Sequence, residues 1–372
     1  MNMGMKEARK QIDQIDTAMA ELFVRRMDAV KEIAAYKTER GIPIEDTERE
    51  ARAIDAHSSQ ISDEELRPFY IQFLQNTMDV SKRWQHRLMR GLQVAYCGVE
   101  GAFACIAAQR IFPDGSLVPF ASFEKTYESV QAGNCDAAVL PIENSYVGEV
   151  GQVIDLMFSG KLFVNGVYDL SVTHNLLGVP GAQKEDIQKV ISHPQTLAQC
   201  DNYIQGHGYE AVSADNTAVA AKKVAEQRDV HTAAIASRET AALYGLKVLD
   251  HDINESKTNT TRFAVFSRIE NRTPSKKDWV AFILLFTVND EVGGLARAVN
   301  IISAYDFNMR VLRSRPMKGL PWHYYFYAEV EGDDDSEDGR RMISAMKGAC
   351  PMVKVVGHYT AAANTQQGGE SI

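Results

Sequence analysis

The sequence predicts a multidomain chain: an all-α segment, then two α/β lobes, then an α+β module of order βαββαβ. Residues Ala8 to Glu39 contain no Gly or Pro and carry an apolar stripe at 3–4 spacing, which reads as one long helix. From about residue 92 to 270, short apolar runs alternate with helical patterns, as α/β lobes do. Beyond a polar linker at 271–278 come strand, helix, strand, strand, helix and strand in turn.

Ile12, Ile15, Met19 and Leu22, then Ala29, Ile33 and Tyr36, form the stripe of the first helix, which Gly41 and Pro43 end. At 1.5 Å per residue it is roughly 48 Å long, too long for a compact monomer, so a partner chain is expected along it. Thr47-x-x-Glu50 has capping-box spacing, and a third helix is expected from near Ser62. Arg26 falls on the stripe where an aliphatic residue is due, and Lys37 sits beside the same face. A cation there must meet an anion; a buried ion pair, a register-setting polar residue and a bound anionic ligand all meet that need.

In the central block, Leu92–Tyr96 reads as a strand leading into a Gly-containing turn, Gly98 to Phe103. Its GxxG spacing fits neither a Rossmann nor a Walker loop. The strand ending at Leu140 runs into Pro141-Ile142-Glu143-Asn144-Ser145, and Val190-Ile191 runs into Ser192-His193-Pro194-Gln195, with Gln199-Cys200 beyond. Ser192-x-x-Gln195 is a capping box in spacing; it also aims free backbone N–H groups at a sheet edge, where α/β folds bind ligands. Asn259-Thr260-Thr261-Arg262-Phe263 opens a further buried strand with hydroxyls, an amide and a guanidinium. His174, His193 and His207 lack metal-ligand spacing and read as structural, and no metal or cofactor is expected.

The C-terminal module starts with an apolar strand, Trp279–Val288, and a helix opening at Gly293-Gly294-Leu295. Strands Met309–Arg315 and Trp322–Val330, an acidic loop Asp333–Asp335, a helix to Ala349 and a strand Val353–Tyr359 follow, with a short tail after 360.

Bulk properties narrow the function. The net charge of -9 argues against a nucleic-acid surface, which needs clustered excess Lys and Arg. The start of the chain is charged from Lys6 and lacks a signal-peptide core, and the longest apolar run is too short to span a bilayer. Five cysteines without a CxxC pair suit reduced thiols, so a cytoplasmic protein with no membrane partner is expected.

Arg9, Arg26, Lys37, Asp46, Arg49, Glu50, Ser81 and Gln85 together resemble the active-site pattern of the all-helical chorismate mutases, over about residues 5–90. The resemblance implies that Arg26, Arg49 and Arg9 of the other subunit hold carboxylates, with Asp46 and Ser81 in the same site. Lys37 and Gln85 would donate to the breaking ether oxygen, and Glu50 would orient the ring hydroxyl. The segments Glu143-Asn144-Ser145, Ser192–Gln195, Gln199-Cys200 and Thr261-Arg262-Phe263 resemble the prephenate dehydratase signature. That family implies a two-lobed fold like the periplasmic binding proteins, with the site in the cleft. It makes Thr261 the essential hydroxyl, Arg262 a carboxylate binder, and Glu143, Asn144, Ser145, His193, Gln195, Gln199 and Phe263 site residues. Whether Glu143 or Thr261 assists the leaving hydroxyl is open at this level. Where the family often has a Ser after the Gly-rich turn, this chain has Ala104.

The last module resembles an ACT domain, an amino-acid sensor. Gly293, Gly294 and Leu295 would then receive a ligand carboxylate. Arg313-Ser314-Arg315-Pro316 stands where that family has Glu-Ser-Arg-Pro. Together these resemblances imply a bifunctional chorismate mutase/prephenate dehydratase, a homodimer or homotetramer with phenylalanine as effector. The alternatives are a non-catalytic carboxylate sensor and an arogenate dehydratase.

Overall fold

The computed structural model describes residues 4–271 and 280–360. Of the expected linker at 271–278, residues 272–278 lie outside the described residues, as do Trp279 and the tail 361–372. The chain divides into two compact units, Met1–Gln93 and Val94–Ile372. No helix among the described residues is long and apolar enough to cross a membrane.

The first unit has three helices: α1 Met5–Arg40, α2 Thr47–Ser58 and α3 Arg67–Arg90. Gly41 ends α1 in the left-handed conformation, φ 63°, which glycine adopts without strain. Asp46, not Thr47, caps α2, its carboxylate accepting from the Arg49 N–H at 3.0 Å. The expected Thr47–Glu50 box therefore does not form; Glu50 instead takes an ion pair from Lys82 at 3.0 Å. α3 starts later than expected, since Asp63 accepts from the Glu65 and Leu66 N–H groups in a turn before Pro68. Val30, Ala34 and Ile44 are buried in this unit, whereas Ile12 (55%), Ile15 (52%), Met19 (42%) and Leu22 (58%) stay exposed.

The second unit opens as an α/β lobe: β1 Gln93–Cys97, α4 Phe103–Ile111, β2 Ser116–Phe120, α5 Phe123–Gln131, β3 Ala137–Asn144, β4 Gly148–Glu149, α6 Gly151–Ser159 and β5 Phe163–Ser171. The chain then crosses to a second lobe. This is built from β6 Asn175–Gly178, β7 Lys189–Ser192, α7 Pro194–Gln199, α8 Asp201–Gly206, β8 Glu210–Ser213, α9 Thr217–Gln227, β9 Thr232–Ala236, α10 Arg238–Tyr244 and β10 Lys247–Asp250. It returns with β11 Thr260–Ser267, which inserts antiparallel between β3 and β5. The sheets run β5-β11-β3-β1-β2 in the first lobe and β10-β6-β9-β7-β8 in the second. Each lobe has its own apolar core.

The C-terminal segment folds as β12 Val280–Thr287, α11 Gly294–Ala304, β13 Met309–Pro316, β14 Tyr324–Glu331, α12 Glu337–Ala349 and β15 Met352–Thr360. β14 starts two residues later than expected because Trp322 sits in a turn at φ 65°. The strand order is β13-β14-β12-β15. β12 has no polar alternation because both of its faces are covered. Phe282, Leu284 and Phe286 pack with Ile302, Met342 and Met346, while Ala281, Ile283 and Leu285 join the first lobe's core with Val153, Ile154 and Met157. The sheet itself continues into the lobe where Gly357 pairs with Val164 of β5. A Cβ at Gly357 would collide with the Val164 backbone, so only glycine allows this approach.

Candidate active site

In the second unit, a cavity of about 230 Å³ lies between the two α/β lobes. The first lobe contributes Ala102, Phe103, Asn144 and Thr261; the second contributes His193, Gln195, Thr196, Gln199, Asn216 and Thr217; Val172, His174 and Asn259 come from the two segments that cross between the lobes. The register of β11 on β3 explains the first group, since Thr261 pairs with Asn144 and the next pair, Arg262 and Glu143, faces the other side of the sheet. Thus Asn144, His193, Gln195, Gln199 and Thr261 come together as expected from sequence, and four expected residues do not join them.

Glu143 and Arg262 are the first two corrections. Arg262 forms a two-pronged pair with Glu329 of β14, at 2.9 and 3.0 Å, and a further pair with Glu143 at 3.3 Å. Glu143 is also held by Arg313 of β13. Ser145 is the third: its hydroxyl donates to the Thr258 carbonyl at 3.1 Å and accepts the Thr260 N–H at 3.0 Å, tying down the approach to β11. Phe263 is the fourth, 2% exposed and absent from the cavity lining because its side chain is packed inside.

Among the described residues, no Lys, Arg, Asp or Glu lines the cavity. Its polarity comes from amides, hydroxyls, two imidazoles and helix starts. The starts of α4 and α9 both reach it, and unpaired N–H groups at a helix start attract anions. His193 is the N-cap of α7, its Nδ1 accepting the Gln195 N–H at 3.2 Å, while Ser192 donates to the Ile235 carbonyl at 2.6 Å. The Ser192–Gln195 capping box expected from sequence is therefore replaced by a histidine cap.

Sequence reasoning set His174 aside as structural, yet it forms part of this wall. Its Nε2 lies 2.9 Å from Gln199 Oε1, and its Nδ1 is buried without a hydrogen-bond partner. Burial lowers its pKa, only partly countered by the Gln199 bond, so the ring is neutral at pH 7. Asn216 and Thr217 were also missed; Asn216 caps α9, its Oδ1 accepting the Val219 N–H at 2.8 Å. Cys200 is fully buried and its thiol is pushed up to about 12 by desolvation, with Glu255 adding to this, which makes it a poor nucleophile.

In the first unit, the Arg26 guanidinium contacts Ser81 Oγ, and Lys37 Nζ donates to the Ile44 carbonyl at 2.6 Å. Ser81 and Gln85 lie one turn apart and buried on α3, with Gln85 Oε1 lacking a partner. Asp46 and Arg49 are joined by the α2 cap. Arg9 lies 17 residues before Arg26 on one helix, about 26 Å at 1.5 Å per residue, so it does not reach that group within one chain.

The expected regulatory residues divide. Gly293 (φ 81°) and Gly294 begin α11, and Leu295 packs beside its core. Arg313 and Arg315 face the first lobe: Arg315 Nε pairs with Asp155 at 2.9 Å and its guanidinium also contacts Glu149. Ser314 and Pro316 point outward. Elsewhere in this module, donor atoms of Asp333, Asp334 and His358 lie within 4.8 Å of one another; His358 also pairs with Glu270 at 3.0 Å.

Comparison with known proteins matches residues 94–271 to the family described as prephenate dehydratase and residues 8–86 to that described as chorismate mutase type II. Arogenate dehydratase 2 of Petunia hybrida is 33% identical over 282 residues, covering 72% of this chain and 71% of that one. The bifunctional chorismate mutase/prephenate dehydratase of Aquifex aeolicus (strain VF5) is 27% identical over 366 residues, 95% of this chain and 97% of its own. Among solved structures, prephenate dehydratase from Arthrobacter aurescens in complex with L-Phe is 26% identical, with a TM-score of 0.67 over 73% of this chain and 90% of that one. A chain described as a novel type of quorum-quenching acylase, GqqA, has the same TM-score at 30% identity, over 73% and 98%.

Proposed function

The chain belongs to the prephenate dehydratase family and carries a type II chorismate mutase segment in front of it, and from that premise we propose two successive reactions. Residues 1–90 rearrange chorismate to prephenate, and residues 91–270 convert prephenate to phenylpyruvate, CO2 and water. Residues 279–360 are an ACT-type sensor through which phenylalanine regulates the chain.

The observation that carries the dehydratase reading is the cavity's chemistry: a Thr261 hydroxyl among amides and helix starts, without a charged carboxylate or cation in the lining. Prephenate brings two carboxylates and a ring hydroxyl. As the ring carboxylate leaves as CO2, its bonding electrons enter the ring, the ring becomes aromatic and hydroxide departs, taking up one proton to become water. Thr261 donates a hydrogen bond to that departing oxygen, and the helix starts hold the carboxylates. Glu143 is spent on Arg262 and Arg313, so the acid role narrows to Thr261 as donor. An acylase reaction needs an activated nucleophile, whereas Thr261 Oγ1 accepts from Asn144 and Cys200 is buried.

For the mutase, Arg26, Lys37, Ser81 and Gln85 form the binding face, and Arg9 of a second copy completes it. The exposed stripe on α1 is what that copy would cover, making a dimer the minimal active species. A cytoplasmic setting fits the five unpaired cysteines.

Incubating the purified protein with chorismate, and separately with prephenate, while following phenylpyruvate tests the reading. Conversion of neither acid leaves the sensor alternative standing, and arogenate as third substrate decides between the two dehydratase activities. Lys37→Ala is expected to abolish chorismate consumption and leave turnover of added prephenate within about twofold. Retained mutase activity removes Lys37 from the mechanism.

A further inference from the structure

The wall of the cavity contains a hydrogen-bond chain whose direction is fixed from the backbone. The N–H groups of Tyr146 and Val147 both donate to Asn144 Oδ1, each at 3.0 Å. The orientation of that amide is therefore settled by groups that can only donate. Its Nδ2 then donates to Thr261 Oγ1 at 2.9 Å and to Asn259 Oδ1 at 2.8 Å. With its oxygen taken, Asn259 turns its own Nδ2 to Gln199 Oε1 at 3.2 Å. The same oxygen of Gln199 faces His174 Nε2 at 2.9 Å, so that nitrogen carries the hydrogen. All four side chains are at least partly buried, Asn259 and His174 almost wholly, at 4% and 1% exposure.

We propose that Asn259 and His174 are positioning residues. Together they pin the Gln199 oxygen inward, so that the Gln199 amide NH2 and the Thr261 hydroxyl both present hydrogens to the cavity. Thr261 already accepts from Asn144, and its hydroxyl hydrogen has no acceptor among its hydrogen bonds in the described residues. Asn259 Oδ1 and Gln199 Oε1 are both occupied, so on this wall the two amides turn donors rather than acceptors to the cavity. Such a wall suits a ligand that brings carboxylates and a departing hydroxide, and turns away one that brings donors. His174 completes the chain because a neutral ring with hydrogen on Nε2 is the only form that both serves Gln199 and leaves Nδ1 as a bare lone pair. The inference rests on the dehydratase reading of the same cavity.

Asn259→Asp tests it. An ionised carboxylate still accepts from Asn144 but cannot donate to Gln199. The Gln199 amide must then turn its NH2 inward and its oxygen to the cavity, and His174 must accept at Nε2, moving its hydrogen to Nδ1. The titratable groups around this position are His174, His193 and, at the neighbouring rim, Tyr146 and Glu255. At pH 7.5 the variant is expected to show a KM for prephenate raised about tenfold or more, which corresponds to 1.4 kcal/mol, with a smaller change in kcat. KM should recover as pH falls and the introduced carboxyl gains a proton to donate, a limb that the parent chain lacks.

Nitrogen-15 spectra of the imidazoles provide a readout independent of turnover. They should show His174 as neutral with hydrogen on Nε2 in the parent chain, and with hydrogen on Nδ1 in the variant. An unchanged KM with an unchanged tautomer overturns the proposal, as does a parent His174 carrying its hydrogen on Nδ1. If Asn259→Asp does not fold, the parent spectrum alone decides. If the parent chain does not turn over prephenate, the substrate reading fails, and the imidazole spectra still judge the chain of bonds.

Discussion

Thr261 and Arg262 are consecutive residues of one strand and do opposite things. Thr261 faces a cavity whose lining has no charged carboxylate or cation, where its hydroxyl is held by one amide. Arg262 faces away, into a buried cluster with Glu329 on the C-terminal module, Glu143 on the neighbouring strand, and Asp169 at 3.8 Å. Tyr327 and Tyr359 also donate to Glu329. Burial alone would lower the Arg262 pKa, but the bonds and charge of Glu329 more than reverse this, so the cation is fixed. One face of β11 therefore lines the cavity, and the other ties the lobe to the module behind it. A chain change at either face should appear in a different measurement.

The largest effect is expected on the rear face. Arg262→Met leaves Glu329, 2% exposed, without its cation, and breaking a buried pair this way costs about 3–5 kcal/mol. Denaturant midpoints should fall accordingly, while KM for prephenate in the remaining folded enzyme changes little. A tenfold rise in KM with unaltered stability would return Arg262 to the substrate. Next comes Thr261→Val, nearly isosteric, which removes one donor from the cavity and should lower dehydratase kcat by about 10²–10³-fold, or roughly 3–4 kcal/mol of barrier. Its unfolding midpoint should stay within about 1 kcal/mol of the parent. Near-normal dehydration by this variant excludes Thr261 from the mechanism.

A smaller effect tests how the two faces are joined. Gly357→Ala forces a methyl against the Val164 backbone at the residue pair that registers β15 on β5. The expected cost is about 1–3 kcal/mol, the usual scale for overpacking, together with faster proteolysis between lobe and module. Unchanged stability and protease resistance would mean the joint yields freely.

Much of this organisation was legible in the chain. The apolar run of β12 announced a strand, and the Gly- and Pro-free stripe announced α1, because length and period separate the two kinds of element, although the α1 stripe itself stays exposed in the single chain. Asn144, Gln199 and Thr261 were legible as a group through the family resemblance, and the fold brings them together because Asn144 closes β3, Thr261 stands at the start of β11 and Gln199 ends α7. Arg262 and Glu143 misled because a motif is written in one dimension, whereas successive residues of a strand face opposite ways. His174 was hidden for another reason. It sits alone just after β5, and its importance arises from Gln199 and Asn259, which are 25 and 85 residues away along the chain. Asp46 was read for binding when its carboxylate has a capping task, which its place before Thr47 already signalled.

The least conspicuous effect is the acid dependence of the rear face. Desolvation would raise the Glu329 pKa, but hydrogen bonds and charge from Arg262, with hydrogen bonds from Tyr359 and Tyr327, outweigh it and leave the value lowered. A carboxyl lowered in the folded state binds its proton more readily once unfolded. Its stabilisation is thus complete above the unfolded value of about 4.3 and fades as pH falls through the lower folded value. Asp169 works in the opposite sense: desolvation raises its pKa, helped by Glu329 and Glu143 and opposed by Arg262, so it takes up a proton first on acidification. Glu329→Gln isolates the first contribution. The variant should be less stable than the parent at pH 6, and the gap should narrow below about pH 4.3 as the parent's own Glu329 becomes protonated. A gap that stays constant from pH 6 to pH 3 in urea titrations would show that the Glu329 charge, despite its two-pronged partner, does not hold the module to the strand of Thr261.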